Sequence, residues 1–177
     1  MADFTALIRD VPDFPEHGIV FKDIMPLLAD ADGLRAVVDA LADPWRDVPL
    51  NAVIGIEARG FLLGTPVAMA LGVGFIPIRK AGKLPGPVEQ ESYGLEYGTD
   101  TIEIHAEAIS TGDHVLVLDD VLATGGTAAA AGALVQRLGA SVAGFSFLLE
   151  LGFLGGRSTL GDAHIERLLL VDAGAEG

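Results

Sequence analysis

The chain of 177 residues has no cysteine, one tryptophan and two tyrosines. Without cysteine there is no disulfide, no thiolate nucleophile, no iron–sulfur cluster and no thiolate-bound zinc. That composition fits a reducing compartment, and a cytoplasmic location is expected. Basic residues are scarce too: 11 Lys and Arg stand against 25 Asp and Glu, a formal charge of −14. A field of that sign repels phosphate-rich polymers and anionic lipid, so neither a nucleic acid polymer nor a membrane is an expected partner. No apolar run approaches the roughly 18 residues of a membrane span. The stretch from Met1 to Pro15 carries Asp3, Arg9, Asp10 and Asp13 where a signal peptide would be apolar. His17, His105, His114 and His164 are isolated, without the spacing of a metal site. GxSxG, GxxxxGK[ST] and GxGxxG are all missing.

What remains is a chain that is 50% hydrophobic and 20% charged, enough apolar material for one domain over 1–177 with a full core. Its 23 glycines point to tight turns or to backbone held close to a ligand. Leu34, Val37, Val38 and Leu41 fall on one helical face, with Asp30 or Asp32 as its cap. Ala52 to Ile56 reads as a buried strand. Phe61 to Leu71 reads as a helix despite Pro66. Gly74 to Ile78 reads as a strand in which Pro77 signals an edge or a bulge. Arg79 to Gly98 has no clean period and six Gly or Pro, the mark of a functional lid or a disordered segment. Thr101 to His105 alternates like a half-exposed strand, and Val115 to Leu118 is continuously apolar. Ala128 to Leu138 is a helix that Gly139 ends. Phe145 to Leu149 and Leu168 to Val171 are further strands. Such alternation predicts an α/β fold with a mainly parallel sheet, which takes ligands at the carboxyl ends of its strands.

The chemistry concentrates in Val115-Leu116-Val117-Leu118-Asp119-Asp120-Val121-Leu122-Ala123-Thr124-Gly125-Gly126-Thr127. A buried strand delivers two adjacent carboxylates to its end. Successive side chains point to opposite sides, so the two acids have different tasks. The following loop is small and Gly-rich, and it opens a helix whose dipole favours an anion. The pattern describes a phosphate cradle beside an acidic pair suited to ribose hydroxyls or a Mg²⁺ shell.

This segment resembles the phosphoribosyl diphosphate motif of the type I phosphoribosyltransferase family. Further segments are similar to its adenine-using branch: Pro12-Asp13-Phe14-Pro15 with Gly18 to Ile24, Glu57-Ala58-Arg59-Gly60-Phe61, Ile78 to Pro87, and Ser92 to Gly98. The tail Glu150-Leu151, Leu154 and Gly155-Gly156-Arg157 is similar as well. The resemblance runs from about Ile8 to Leu160. It implies a central, mostly parallel sheet flanked by helices, a small N-terminal hood over about 1–30, and a mobile catalytic lid over about 79–98.

The resemblance also implies a reaction. The 5-phosphoribosyl group of phosphoribosyl diphosphate passes to adenine, giving AMP and pyrophosphate, with Mg²⁺ carried by the diphosphate near Asp119 and Asp120. Ala123, Thr124, Gly125, Gly126 and Thr127 would take the 5′-phosphate, and Asp119 and Asp120 the ribose hydroxyls. Ala58 and Arg59 would take the pyrophosphate, with a cis peptide expected at Glu57–Ala58. Arg79, Lys80 and Lys83 would clamp the same group, some of them across the interface of a homodimer. Glu96 would stand near the purine N7, and Tyr97 would close over the reactants. The backbone near Val20 would read the base and Phe21 would stack on it or serve as core. Lys22 stands where some members carry Arg, which keeps the charge without the planar fork. Ala81 stands where some carry another basic residue. The alternatives are transfer to a 6-oxopurine (hypoxanthine, guanine or xanthine), or a non-catalytic sensor of phosphoribosyl diphosphate.

Overall fold

A computed structural model describes residues 4–95 and 98–172. The chain divides into two compact units, residues 1–40 and 41–177. In the first, β1 (Arg9–Pro12) and β2 (Val20–Asp23) pair antiparallel, with Arg9 opposite Asp23 and Pro12 opposite Val20. Charge pairs reinforce that register. Arg9 Nη2 lies 2.5 Å from Asp23 Oδ2, and Lys22 Nζ lies 2.7 Å from both oxygens of Asp10. The connection contains a cis Phe14–Pro15 bond, and the Asp13 carboxylate accepts the Gly18 N–H at 2.7 Å. α1 (Met25–Ala29) follows. α2 (Ala31–Ala42) comes next, and its last two residues belong to the second unit. Of the two candidate caps for α2, Asp30 is the one used, because its Oδ1 accepts the Gly33 N–H at 2.7 Å.

The second unit is one seven-stranded sheet. Its chain order is β3 (Ala52–Ile56), α3 (Arg59–Leu71), β4 (Gly74–Lys80), β5 (Val88–Leu95), β6 (Gly98–His105), β7 (His114–Leu122), α4 (Gly126–Arg137), β8 (Ser141–Leu151), α5 (Gly156–Thr159) and β9 (Ile165–Val171). In space the strands run β5-β6-β4-β3-β7-β8-β9. The five from β4 to β9 are parallel, and β5 and β6 form an antiparallel hairpin added to β4. Helices cover both faces. Ile54, Ile56, Val115, Val117 and Phe147 share a core with Ala131, Leu134 and Val135 of α4. The alternate positions face α3, where a Cβ on Gly64 would meet the Phe75 ring at 2.9 Å. The α/β fold with a mostly parallel central sheet is therefore as expected.

Three local readings change. Residues 79–98 are not aperiodic: they contain the end of β4 and all of β5. Val88-Glu-Gln-Glu-Ser-Tyr-Gly is exposed or half-exposed along its length, so no apolar alternation marks it. Its order comes from pairing with β6, from Val88 opposite His105 to Leu95 opposite Gly98. The strand carrying the acidic pair runs through both acids to Leu122. α3 starts at Arg59, two residues before the apolar pattern begins.

Pro77 is accommodated without a bulge. Ile78 C=O accepts the Glu57 N–H at 2.9 Å, so residue 78 faces β3 and Pro77 faces the other way. On that side β4 meets β6 only from Arg79 onward, and no ladder bond is lost at the proline.

Candidate active site

The carboxyl ends of β3 and β7 lie side by side, and the candidate residues gather there. β7 carries Asp119 and Asp120, and the loop after it leads into α4. An open concavity of about 310 Å³, counting the solvent space at its mouth, is lined by Asp119 and by Ala123 to Thr127. At the start of α4 Gly125 adopts φ +82, and no side chain caps the helix. The first-turn N–H groups of α4 therefore receive no cap from a side chain, and the helix dipole adds to their attraction for an anion.

The two acids differ, as their opposite orientation requires. Asp120 is 3% exposed, and its Oδ2 lies 2.9 Å from Arg59 Nε. Burial pushes its carboxyl up, and the Arg59 charge opposes that. Asp119 is half-buried and lines the concavity. Burial and then the charge of Asp120 push its carboxyl well above the usual carboxylate range. α3 crowds this corner: a Cβ on Gly60 would meet Asp119 Oδ1 at 2.9 Å and Leu118 O at 3.0 Å. Only a glycine lets the first turn of α3 come so near, and that approach brings Arg59 to Asp120.

Before α3, the Glu57–Ala58 peptide bond is cis, as the resemblance implied. Glu57 gathers a second group of candidates. Lys83 Nζ lies 2.6 Å from its Oε1, Arg79 Nε 3.3 Å from its Oε2, and the Lys80 N–H donates to Oε2 at 2.9 Å. Burial alone would raise its pKa, but the hydrogen bonds from Lys83, Lys80 and Arg79 outweigh it and hold the carboxyl at about 2. The Lys80 side chain turns elsewhere, to Asp100 and the Tyr93 hydroxyl. The three clamp candidates thus do not form one patch. Arg79 and Lys83 share a carboxylate, and Lys80 is held on the β5–β6 hairpin.

Glu103 is a residue that sequence reasoning missed. It lies between Ile102 and Ile104 on β6, where alternation reads it as solvent-facing, yet it is 1% exposed. Its Oε1 accepts the N–H groups of Lys83 and Leu84, each at 2.8 Å, and its Oε2 accepts the Gln90 amide at 3.0 Å. Burial would raise its pKa, but the backbone donors from residues 82–84 and Gln90 hold it at about 2. No pattern in the sequence marks this role, because its partners lie 13 to 21 residues away.

Glu96 and Tyr97 lie outside the described residues. Val20, Phe21 and Lys22 stand together on β2 of the first unit. There Phe21 packs edge-to-face on Phe14 at 5.3 Å between ring centres, and Lys22 pairs with Asp10. Among the described residues no group of three or more His, Asp or Glu is placed to hold a metal ion. Asp119, on the concavity, offers a hard oxygen donor that suits part of a Mg²⁺ shell, whereas Asp120 is buried against Arg59. Among the described residues no helix is long and apolar enough to cross a membrane.

The profile of the phosphoribosyl transferase domain matches residues 22–153. An adenine phosphoribosyltransferase of Streptomyces coelicolor is 57% identical over 168 residues, covering 93% of this chain and 92% of that protein. Another, from Nocardioides, is 56% identical over 175 residues, covering 97% and 95%. The crystal structure of the Thermoanaerobacter pseudethanolicus adenine phosphoribosyltransferase superposes with a TM-score of 0.93 at 46% identity, over 96% of this chain and 98% of that one. The Saccharomyces cerevisiae enzyme, crystallised with adenine and an imino-altritol bisphosphate, gives 0.87 at 40% identity, over 94% and 96%. Likeness of this depth across nearly the whole chain, on a fold that carries the acidic pair, the glycine-rich loop and the cis peptide, means that the chain belongs to the adenine phosphoribosyltransferase family.

Proposed function

We propose that the chain transfers the 5-phosphoribosyl group of phosphoribosyl diphosphate to adenine, forming AMP and releasing pyrophosphate, as purine salvage requires. The observation that carries this reading is the concavity in which Asp119 meets an uncapped helix N-terminus on a Gly-rich loop. The bond from C1′ to the pyrophosphate oxygen breaks with its electron pair leaving on pyrophosphate, the N9 lone pair of adenine forms the bond to C1′, and the imidazole-ring proton on N7 passes to Glu96. Positive charge grows on the ribose while negative charge grows on the leaving group. The protein's work is to position, to clamp anions and to exclude water.

In this reading the N–H groups and hydroxyls of Ala123 to Thr127 bind the 5′-phosphate. Asp119 and Asp120 hold the ribose hydroxyls and stabilise the growing positive charge. Arg59, the Ala58 backbone, Arg79 and Lys83 face the pyrophosphate, and Lys80 serves from the end of β4. Val20 backbone groups read adenine, Phe21 stacks on the ring, and Lys22 is a further substrate-binding residue. Glu96 acts on the purine N7, and Tyr97 covers the reactants as the 79–98 segment closes. Mg²⁺ carried by phosphoribosyl diphosphate would neutralise part of that substrate's charge near Asp119 and Asp120. The working form is a cytoplasmic homodimer. Leu62 and Met69, exposed and seven residues apart on α3, supply an apolar face for association.

The test is pyrophosphate release by the purified protein with phosphoribosyl diphosphate and Mg²⁺, with adenine, hypoxanthine, guanine and xanthine supplied separately. Release with adenine and formation of AMP are expected. Release with only a 6-oxopurine would overturn the base assignment. Binding of phosphoribosyl diphosphate without release for any base would favour a sensor.

A further inference from the structure

The tail Glu150 to Thr159 has no part in the reaction as derived above, although it abuts the phosphate loop. Glu150, the residue before the last of β8, stands directly opposite Leu122, the last residue of β7. Its carboxylate is 6% exposed and holds two guanidinium groups: Arg157 Nη2 at 2.8 Å and Arg167 Nε at 2.5 Å. The hydrogen bond from Arg157 holds the carboxyl below the usual range. Arg157 thereby draws the short helix α5 against the loop that follows β7.

The contact is backbone on backbone. A Cβ on the buried Gly156 would lie 2.2 Å from the Ala123 carbonyl oxygen and 3.0 Å from the Leu122 side chain. In the other direction, a Cβ on Gly125 would lie 2.5 Å from the Gly156 carbonyl oxygen and 2.9 Å from Thr159 Cβ. The Thr159 hydroxyl donates to the Thr124 carbonyl at 2.7 Å. A loop that turns its N–H groups toward an anion turns its carbonyls outward, and those carbonyls need a wall and a donor. Residues 156–159 supply both.

We propose that Gly156 and Thr159 are positioning residues for the 5′-phosphate, which fix the path of residues 123–126 from behind, with Glu150 and Arg157 as the anchor. The proposal rests on the reading of that loop as the phosphate site. It adds that the site's affinity is set by a second segment, whose contacts with the loop span 31 to 35 residues of chain.

The experiment measures ribose 5-phosphate binding by calorimetry, together with KM for phosphoribosyl diphosphate and for adenine. The variants are Gly156→Ala, Thr159→Val and Thr159→Ser, each with a melting curve. Gly156→Ala is expected to weaken ribose 5-phosphate and raise KM for phosphoribosyl diphosphate roughly tenfold, with KM for adenine unchanged. Thr159→Val, which removes only the donor, is expected to weaken the same ligand roughly threefold. Thr159→Ser, which keeps it, should match the native protein. Should Gly156→Ala fail to fold, the Thr159 pair decides. Unchanged ribose 5-phosphate affinity in the folded variants overturns the proposal. So does a parallel rise in both KM values, or a loss of Tm without a loss of binding. Failure of the native protein to bind ribose 5-phosphate would instead overturn the assignment of the loop. Failure to release pyrophosphate despite that binding would overturn the reaction.

Discussion

The proposed 5′-phosphate loop and the proposed pyrophosphate clamp use different materials for similar ligands. Residues 123–127 offer an anion main-chain N–H groups at a helix start that no side chain caps. Arg79 and Lys83 offer it side-chain cations that the carboxylate of Glu57 already holds. Backbone dipoles are fixed once the loop is folded and need no counter-ion. Long side chains need one, both to hold a geometry and to remain compatible with a chain of charge −14. The first region is therefore preorganised by packing, and the second by ion pairs that an incoming pyrophosphate must displace.

Substitutions can break or sharpen that contrast. Arg59→Ala should be the most damaging. It strips a cation from the clamp and leaves the buried Asp120 without that partner. A fall in kcat/KM on the order of 10²–10³ is expected. Steady-state kinetics that show less than a tenfold loss would remove Arg59 from the clamp.

Glu57→Gln should act in the opposite direction. With the competing charge gone, pyrophosphate inhibition is expected to tighten by roughly three- to tenfold. Weaker inhibition would mean that Glu57 serves chiefly to orient Arg79 and Lys83.

Acid should loosen the clamp region before the rest of the sheet. Glu57 and Glu103 are held at about 2 from a usual 4.5. Their contribution to stability is present in full above pH 4.5 and is lost as pH falls toward 2. Between pH 5 and 3 the native protein should lose more Tm than Glu103→Gln does, by on the order of 5 °C. Equal slopes in differential scanning calorimetry would contradict those depressed values.

Thr124→Val should do least, raising KM for phosphoribosyl diphosphate about threefold, because main-chain groups supply most of the grip. A rise on the order of a hundredfold would show that hydroxyls dominate the loop, and the contrast between the regions would fail.

How much of this was legible depended on the range of the forces involved. The acidic pair, the Ala123 to Thr127 loop and the helix after it announce themselves because strand, turn and helix start are contiguous. Asp30 as a cap and Gly139 as a stop are local for the same reason. The β5 strand was not legible, because its polar sequence has no buried face and its order comes from main-chain pairing to β6. Glu103 was misread, because alternation says which face a side chain takes and not whether another loop will cover it. Glu57 stood in a quoted motif, but its hold on residues 22 to 26 positions away is invisible in any window of sequence.

The sequence by itself determined the α/β class, the Gly-rich turn that opens a helix and the placing of two carboxylates at a strand end. Those follow from hydrophobic period, glycine geometry and neighbouring residues. Only the tertiary structure decided how the charges pair: Arg59 with Asp120, Arg79 and Lys83 with Glu57, Lys80 with Asp100, and Arg157 with Glu150. Coulomb energy depends on distance and burial, and the order of residues along a chain specifies neither until the sheet has brought its strands together.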